Sequence, residues 1–251
     1  MILEKLIKSR QSQKKSFAIL LDPDKLNPKS LELLVSKAKD YPVDFFFLGG
    51  SLVMKNNIEL CLKIIKATTD IPVILFPGDT YQAHPDADGI LFLSLISGRN
   101  PDLLIGKQVI AAPYLKKSKL EVLPTGYILV DGGKTTTVHY ISQTLPIPRD
   151  KPEIAACTAL AGTYLGLKLI YLDAGSGAKN SIPPGMVRKV REEIDAPIIV
   201  GGGIRSGDEA FKLCEAGADT IVVGNAIEGD YDVIEDISLK IQSYNKINTY
   251  L

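Results

Sequence analysis

LIYLDAGSG, residues 169–177, is an apolar run that stops at a carboxylate and passes into small residues. The run does not alternate apolar with polar positions, so it reads as a strand buried on both faces, as parallel strands are. Seven other runs end in the same way. They are FAILLD (17–22), FFFLGGS (45–51), PVILFPG (72–78), GILFLS (89–94), YILVDGG (127–133), PIIVGGG (197–203) and TIVVGN (220–225). Each closes on Asp, Gly, Ser or Asn.

Helical patterns lie between these runs. Asn27 caps a helix that begins at Pro28, and Leu31, Leu34, Val35 and Ala38 fall on one face. Ile58, Cys61, Leu62 and Ile65 repeat that spacing. Ser206 and Glu209 form a capping box before Ala210, Leu213 and Cys214. Helices are also expected near 152–165 and 183–194, and the tail IQSYNKINTY is a frayed or docked helix end. Only ten residues, 79–88, separate the third run from the fourth, and YQAHPDAD (81–88) has a loop composition, so one helix is missing there. Eight strands, mostly alternating with helices, predict a (β/α)8 TIM barrel, α/β in class, with the third helix replaced by a loop or strand. A doubly wound sheet is the runner-up. No linker interrupts the chain, so residues 1–251 form a single barrel domain. In a barrel the strand-end residues converge on one mouth.

Composition narrows the function. Basic and acidic residues balance at 29 each, which disfavours a nucleic-acid partner. Cys61, Cys157 and Cys214 are far apart, show no metal spacing, and read as reduced core thiols of a cytoplasmic protein. The N-terminus has no apolar h-region. Ile154–Leu172 is apolar enough to suggest a membrane span, but Gly162 and Gly166 interrupt it. A buried helix followed by a buried strand is the expectation there.

Three motifs carry chemistry. Glycines in the last three strand ends let a ligand approach bare backbone, and the amides of Gly201-Gly202-Gly203 and Gly224-Asn225 suit a phosphate, as barrel loops after strands seven and eight often do. Asp22 of LLDPDK can hold a hard cation such as Mg2+ or simply make a turn, while Lys25 is placed for an anion. Ser51 of GGS can meet a metal or phosphate, though such a serine more often caps a helix. His84 and His139 lie in different loops and are assigned no role.

As a set, LLDPDK, FFFLGGS, YLDAGSGA, IIVGGGIRS and VVGNAIE resemble the geranylgeranylglyceryl phosphate synthase family. They look like its second group, related to heptaprenylglyceryl phosphate synthase. The resemblance implies a transferase that joins geranylgeranyl diphosphate to the C3 hydroxyl of sn-glycerol 1-phosphate. It implies Mg2+ on Asp22 and Ser51, and glycerol phosphate on Tyr171, Leu172, Asp173, Ala174, Gly175, Ser176, Gly177, Gly202, Gly203, Gly224 and Asn225. Asp173 would orient or deprotonate the hydroxyl. Phe76 and the 90–96 segment would line the prenyl trough. A homo-oligomer, dimer or hexamer, and transient membrane contact complete the expectation. There are two departures. Asp173 stands where the family often has Glu, and Leu20 stands where the first group has a lysine. A different prenyl length, a phosphosugar isomerase or lyase, and a non-catalytic phosphate-binding module remain alternative readings.

Overall fold

Eight parallel strands close on themselves in sequence order. They are β1 (Ser16–Leu21), β2 (Phe45–Gly50), β3 (Val73–Pro77), β4 (Gly89–Leu95), β5 (Glu121–Leu129), β6 (Leu169–Asp173), β7 (Ile198–Gly201) and β8 (Thr220–Val223). The pairing of Ser16 with Thr220 and of Ile19 with Val223 shuts the barrel. The computed structural model describes residues 1–55, 57–79 and 82–248. Thr249, Tyr250 and Tyr81, which belonged to two of the segments read above, lie outside the described residues.

The helices are α1 (Ile2–Gln11), α2 (Pro28–Ala38), α3 (Ile58–Thr68), α4 (Lys107–Lys117), α5 (Thr137–Ser142), α6 (Pro152–Tyr164), α7 (Pro184–Glu193), α8 (Gly207–Glu215), α9 (Asn225–Gly229) and α10 (Asp232–Asn248). Asn27 caps α2 by accepting the Ser30 N–H, while Ser30 Oγ accepts the Asn27 N–H. At α8 only half of the expected box forms. Ser206 Oγ accepts the Glu209 N–H, but the Glu209 carboxylate takes the N–H of Arg205 instead of that of Ser206. The tail is docked: Ile234, Ile237 and Ile241 of α10 are buried, and Tyr244 meets the Phe211 ring edge-on at 5.7 Å.

Alternation along the strands separates two cores. Inward residues such as Ala18, Phe45, Phe47, Leu123, Leu169 and Tyr171 fill the barrel. Outward residues such as Ile19, Phe46, Ile170 and Leu172 pack under the helices. α1 plugs the bottom with Ile2 and Leu6, and its first amides donate to the Glu121 carboxylate at 2.5 Å and 2.9 Å. Ile154–Leu172 folds as α6 followed by β6, and among the described residues no helix is long and apolar enough to cross a membrane. Cys61 and Cys214 are buried, with burial pushing their thiols up to about 11 and about 12. Cys157 is exposed on α6, which corrects the expectation that all three are core thiols.

Among the described residues no α-helix joins β3 to β4, as the short spacing predicts. The outer side of these strands is therefore left partly open near Phe92, while Phe76 faces the barrel interior and stacks on Tyr171 at 5.3 Å. By contrast β5 begins at Glu121, six residues before the run read from sequence. Pro124 and Gly126 disguise that first half, yet Pro124 pairs opposite Phe92 and its carbonyl accepts the Lys168 N–H. α4 also escaped the sequence pattern. Its buried face carries Gln108 beside Ala111 and Leu115, while Val109 and Ile110 are exposed, so no apolar stripe marks that face in the sequence.

At the bottom of the barrel Asp219 is 2% exposed and accepts from Lys15 at 3.3 Å, Arg191 at 2.9 Å and the Ile198 N–H at 2.9 Å. Removing one partner of a buried pair leaves an uncompensated charge. Asp219→Ala is expected to cost about 3–5 kcal/mol in urea unfolding, with no change at the opposite mouth. A loss under about 1 kcal/mol would show that the cluster is solvated.

Candidate active site

The residues singled out from the sequence meet at the C-terminal strand ends, around a polar cavity of about 320 Å³. Asp22, Ser51, Tyr171, Asp173, Ser176, Gly177, Gly202, Gly203, Gly224 and Asn225 all line it. Leu172 and Ala174 do not. Both are fully buried in the outer core, because alternate strand side chains point to opposite faces. Gly175 is absent from the cavity lining too. Its N–H donates to Asp173 Oδ1 at 2.9 Å, and a Cβ there would stand 2.3 Å from Thr136 Oγ1. Of the stretch Tyr171 to Gly177, read as binding glycerol phosphate, Tyr171, Asp173, Ser176 and Gly177 thus line the cavity, and Leu172, Ala174 and Gly175 do not.

Two glycines give Asp173 and Tyr171 their places. Gly202 has φ +82°, and a Cβ on it would lie 2.6 Å from Asp173 Oδ1 and 2.8 Å from the amide nitrogens of Ala174 and Gly175. Only glycine combines that conformation with that approach. A Cβ on Gly201 would stand 2.5 Å from the Tyr171 hydroxyl oxygen. The loops are also tied together. Ser176 Oγ donates to Asn225 Oδ1 at 2.7 Å. Arg205 donates to the carbonyls of Ala178 at 2.6 Å, Lys179 at 3.1 Å and Gly203 at 3.0 Å, so its guanidinium braces two glycine loops. Lys134 lines the cavity, with its ammonium 3.6 Å from the position of a Cβ on Gly177. The result is a bowl of backbone amides with one ammonium beside it, suited to a phosphate.

Asp173 is 7% exposed. Burial raises its pKa from the ordinary carboxylate value, against the opposing pull of the Tyr127 O–H, the Gly175 N–H and the His139 charge. A base that is harder to ionise but still held by donors suits proton removal from a bound hydroxyl. Asp22 sits on the other side of the cavity. Its Oδ1 accepts the Asp24 N–H at 3.0 Å, and its Oδ2 lies 3.6 Å from the Lys25 ammonium. Lys25 also lies 3.5 Å from Glu228. Ser51 caps no helix, since α3 starts later with Asn57 before it; instead Ser51 forms wall.

A second cavity, about 130 Å³ and apolar, opens where the third helix is missing. Phe76, Ile90, Leu91, Phe92, Leu93 and Leu95 line it, with Leu103, Ala111 and Leu115 opposite. Of the trough residues read from the sequence, Phe76, residues 90–93 and Leu95 line this cavity, whereas Ser94 and Ile96 do not, and Ile96 borders a groove along α6 instead. Gly50, Ser51 and Phe76 border both cavities, so the polar and apolar spaces adjoin at the ends of β2 and β3.

Several site residues were not singled out from the sequence. Tyr127, Lys134 and Glu228 come into place only through the closed barrel. His139, assigned no role, completes a capping box with Thr136, its Nδ1 lying 2.7 Å from Thr136 Oγ1. Burial lowers its pKa, while Asp131 and Asp173 raise it. His84 accepts the Asp86 N–H at 3.3 Å and stays in its own turn.

Known proteins share this architecture and sequence. The PcrB family pattern matches residues 9–241. A geranylgeranylglyceryl phosphate synthase of Spirosoma linguale is 53% identical over 235 residues, 94% of this chain and 94% of its own. A protein of the same name from Pyrococcus horikoshii is 43% identical over 227 residues, 90% of this chain and 89% of its own. The crystal structure of (S)-3-O-geranylgeranylglyceryl phosphate synthase from Thermoplasma acidophilum, in complex with sn-glycerol-1-phosphate, superposes with a TM-score of 0.91 at 35% identity, covering 98% of this chain and 99% of that one. On a family match over most of the chain and on these identities, this chain belongs to the PcrB family, that of the geranylgeranylglyceryl phosphate synthases.

Proposed function

We propose that the protein joins geranylgeranyl diphosphate to the C3 hydroxyl of sn-glycerol 1-phosphate, giving 3-O-(geranylgeranyl)glyceryl phosphate and diphosphate. One observation carries the reading. A buried carboxylate stands in a glycine-walled polar cavity that adjoins an apolar one, and Ser51 and Phe76 belong to both walls. A charged acceptor and a greasy donor need that adjacency. The Thermoplasma acidophilum relative, solved in complex with sn-glycerol-1-phosphate, supports the acceptor assignment.

The amides of Gly202, Gly203, Gly224 and Asn225, with Lys134, hold the phosphate of the acceptor. Asp173 accepts the C3 hydroxyl proton as the oxygen bonds the allylic carbon. The carbon–oxygen bond to diphosphate breaks, and its electron pair leaves with the diphosphate. Phe76 and the β4 side chains keep water from the allylic centre. Holding both reactants at one junction removes much of the entropic barrier.

The metal reading fits the donors present. Among the described residues no group of three or more His, Cys, Asp or Glu is arranged around a metal, and Mg2+ needs none. It takes one or two carboxylates, substrate phosphates and waters. Asp22 and Ser51 follow adjacent strands, Ser51 on the shared wall and Asp22 in the polar cavity beside Gly50, and they would hold Mg2+, which supplies charge neutralisation for the departing diphosphate. An apolar groove along α6, lined by Ile154, Cys157 and Leu165 with Ile96 and Leu104, supports a homo-oligomer, dimer or hexamer. A cytoplasmic enzyme that touches the membrane transiently to exchange its lipid fits the two buried, unpaired thiols and the greasy product.

The test is incubation with glycerol 1-phosphate or glycerol 3-phosphate, prenyl diphosphates of several lengths, and Mg2+ or chelator. Ether product from glycerol 1-phosphate alone, best with the geranylgeranyl donor and lost with chelator, is the expected result. No product from any pair would leave a phosphate-binding module or another barrel enzyme in its place.

A further inference from the structure

Tyr127 has no part in the binding scheme, yet it touches both halves of the site. It stands on β5, and its ring walls the apolar cavity. That ring meets Tyr171 edge-on at 5.6 Å and lies 6.1 Å from Phe76. Its hydroxyl leaves the wall and donates to Asp173 Oδ2 at 2.5 Å. The strand register sets Tyr127 opposite Tyr171 and Leu129 opposite Asp173. The contact is therefore diagonal and needs a side chain as long as tyrosine.

With Gly175 donating to Oδ1, both oxygens of Asp173 are anchored. The carboxylate plane is set, and each oxygen keeps lone-pair capacity for the acceptor hydroxyl. Burial holds the Tyr127 phenol well above its usual range, so it remains a donor. The ionisable groups facing Asp173 are Tyr127 from β5, Tyr171 from its own strand and His139 from α5, with Asp131 beside His139 and Lys134 in the same cavity wall.

We infer that Tyr127 is a positioning residue for the transfer. Its hydroxyl aims the Asp173 carboxylate at the acceptor hydroxyl and stabilises its charged form, while its ring is seated in the wall that receives the prenyl chain. This rests on the prenyl-transfer reading of the site.

The test is Tyr127→Phe, alone and with Asp173→Asn, followed by turnover against pH. Losing one positioning hydrogen bond is expected to lower kcat about 10- to 100-fold and leave KM for glycerol 1-phosphate within about twofold. The acid limb of kcat moves to higher pH, because the buried carboxylate has lost a donor that favours its charged form. In the Asp173→Asn background the same change has no further effect. Site-specific 3-fluorotyrosine at position 127 is a stronger donor of almost the same shape, and it moves the limb to lower pH even if the phenylalanine variant fails to fold. Wild-type kcat with an unmoved limb in Tyr127→Phe overturns the proposal. So does a full loss repeated on the Asp173→Asn background, or an unmoved limb with fluorotyrosine. A wild-type protein without turnover overturns the site reading and this proposal together.

Discussion

Asp173→Asn lowers turnover about 100- to 10,000-fold in a radiolabelled-prenyl assay, the range for removing a positioned general base. The substitution keeps shape and most contacts. An asparagine oxygen can still accept the Gly175 N–H, and the amide group can still meet the Tyr127 hydroxyl, with that hydroxyl now accepting. What disappears is the charge that takes the proton. Glycerol phosphate binding is expected to survive, because the glycine loops and Lys134 hold the phosphate end. The acid limb of the wild-type profile, which rises as pH passes the elevated pKa of Asp173, should vanish with the residue. Turnover within a few-fold of wild type would show that Asp173 does no more than shape the cavity.

The place of Asp173 is legible along the chain because the barrel writes its active end into the sequence. Each strand is buried on both faces, so it appears as an unbroken apolar run, and the residue that ends the run is the residue that reaches the mouth. Asp22, Ser51, Asp173, Gly202 and Asn225 were legible for this reason. Leu172 and Ala174 belong to the same stretch but line no part of the cavity. Proximity along the chain suggested contact, but the two-residue period of a strand turns every second side chain outward. Tyr127 was hidden for the opposite reason. It lies well before the end of its run, and only the diagonal reach between β5 and β6 brings its hydroxyl to Asp173. Lys134 and Glu228 belong to loops whose meeting depends on closure of the barrel, which no local pattern encodes. The missing third helix was visible as short spacing, yet its consequence was not. Its absence leaves Phe92 partly uncovered on the outer side, and the apolar cavity there is lined together with the inward-facing Phe76.

The other large effect belongs to Asp22. Asp22→Asn is expected to reduce turnover at least about 100-fold, since a carboxylate on a phosphate-bound metal supplies several kcal/mol of charge stabilisation. The fold should be unaffected. The side-chain amide of that variant keeps an oxygen for the Asp24 N–H, and the position is partly solvated, so at most about 1 kcal/mol of hydrogen bonding is at stake. The losses should also divide cleanly between ligands. Asp22 borders the junction with the apolar cavity through Gly50 and Ser51, whereas the phosphate bowl lies at Gly202 and Asn225. Calorimetry should therefore show near-normal affinity for glycerol 1-phosphate and a weakened Mg2+-dependent affinity for a non-hydrolysable prenyl diphosphate. Lys25 sharpens the expectation. It bridges Asp22 and Glu228 across the cavity, so neutralising Asp22 leaves its ammonium closer to Glu228 and still available to an anion. Residual donor binding in the variant should then be independent of Mg2+ and weakened by salt. An unchanged Mg2+ response in Asp22→Asn would move the metal away from the end of β1 and require another pair of oxygen donors at the shared wall.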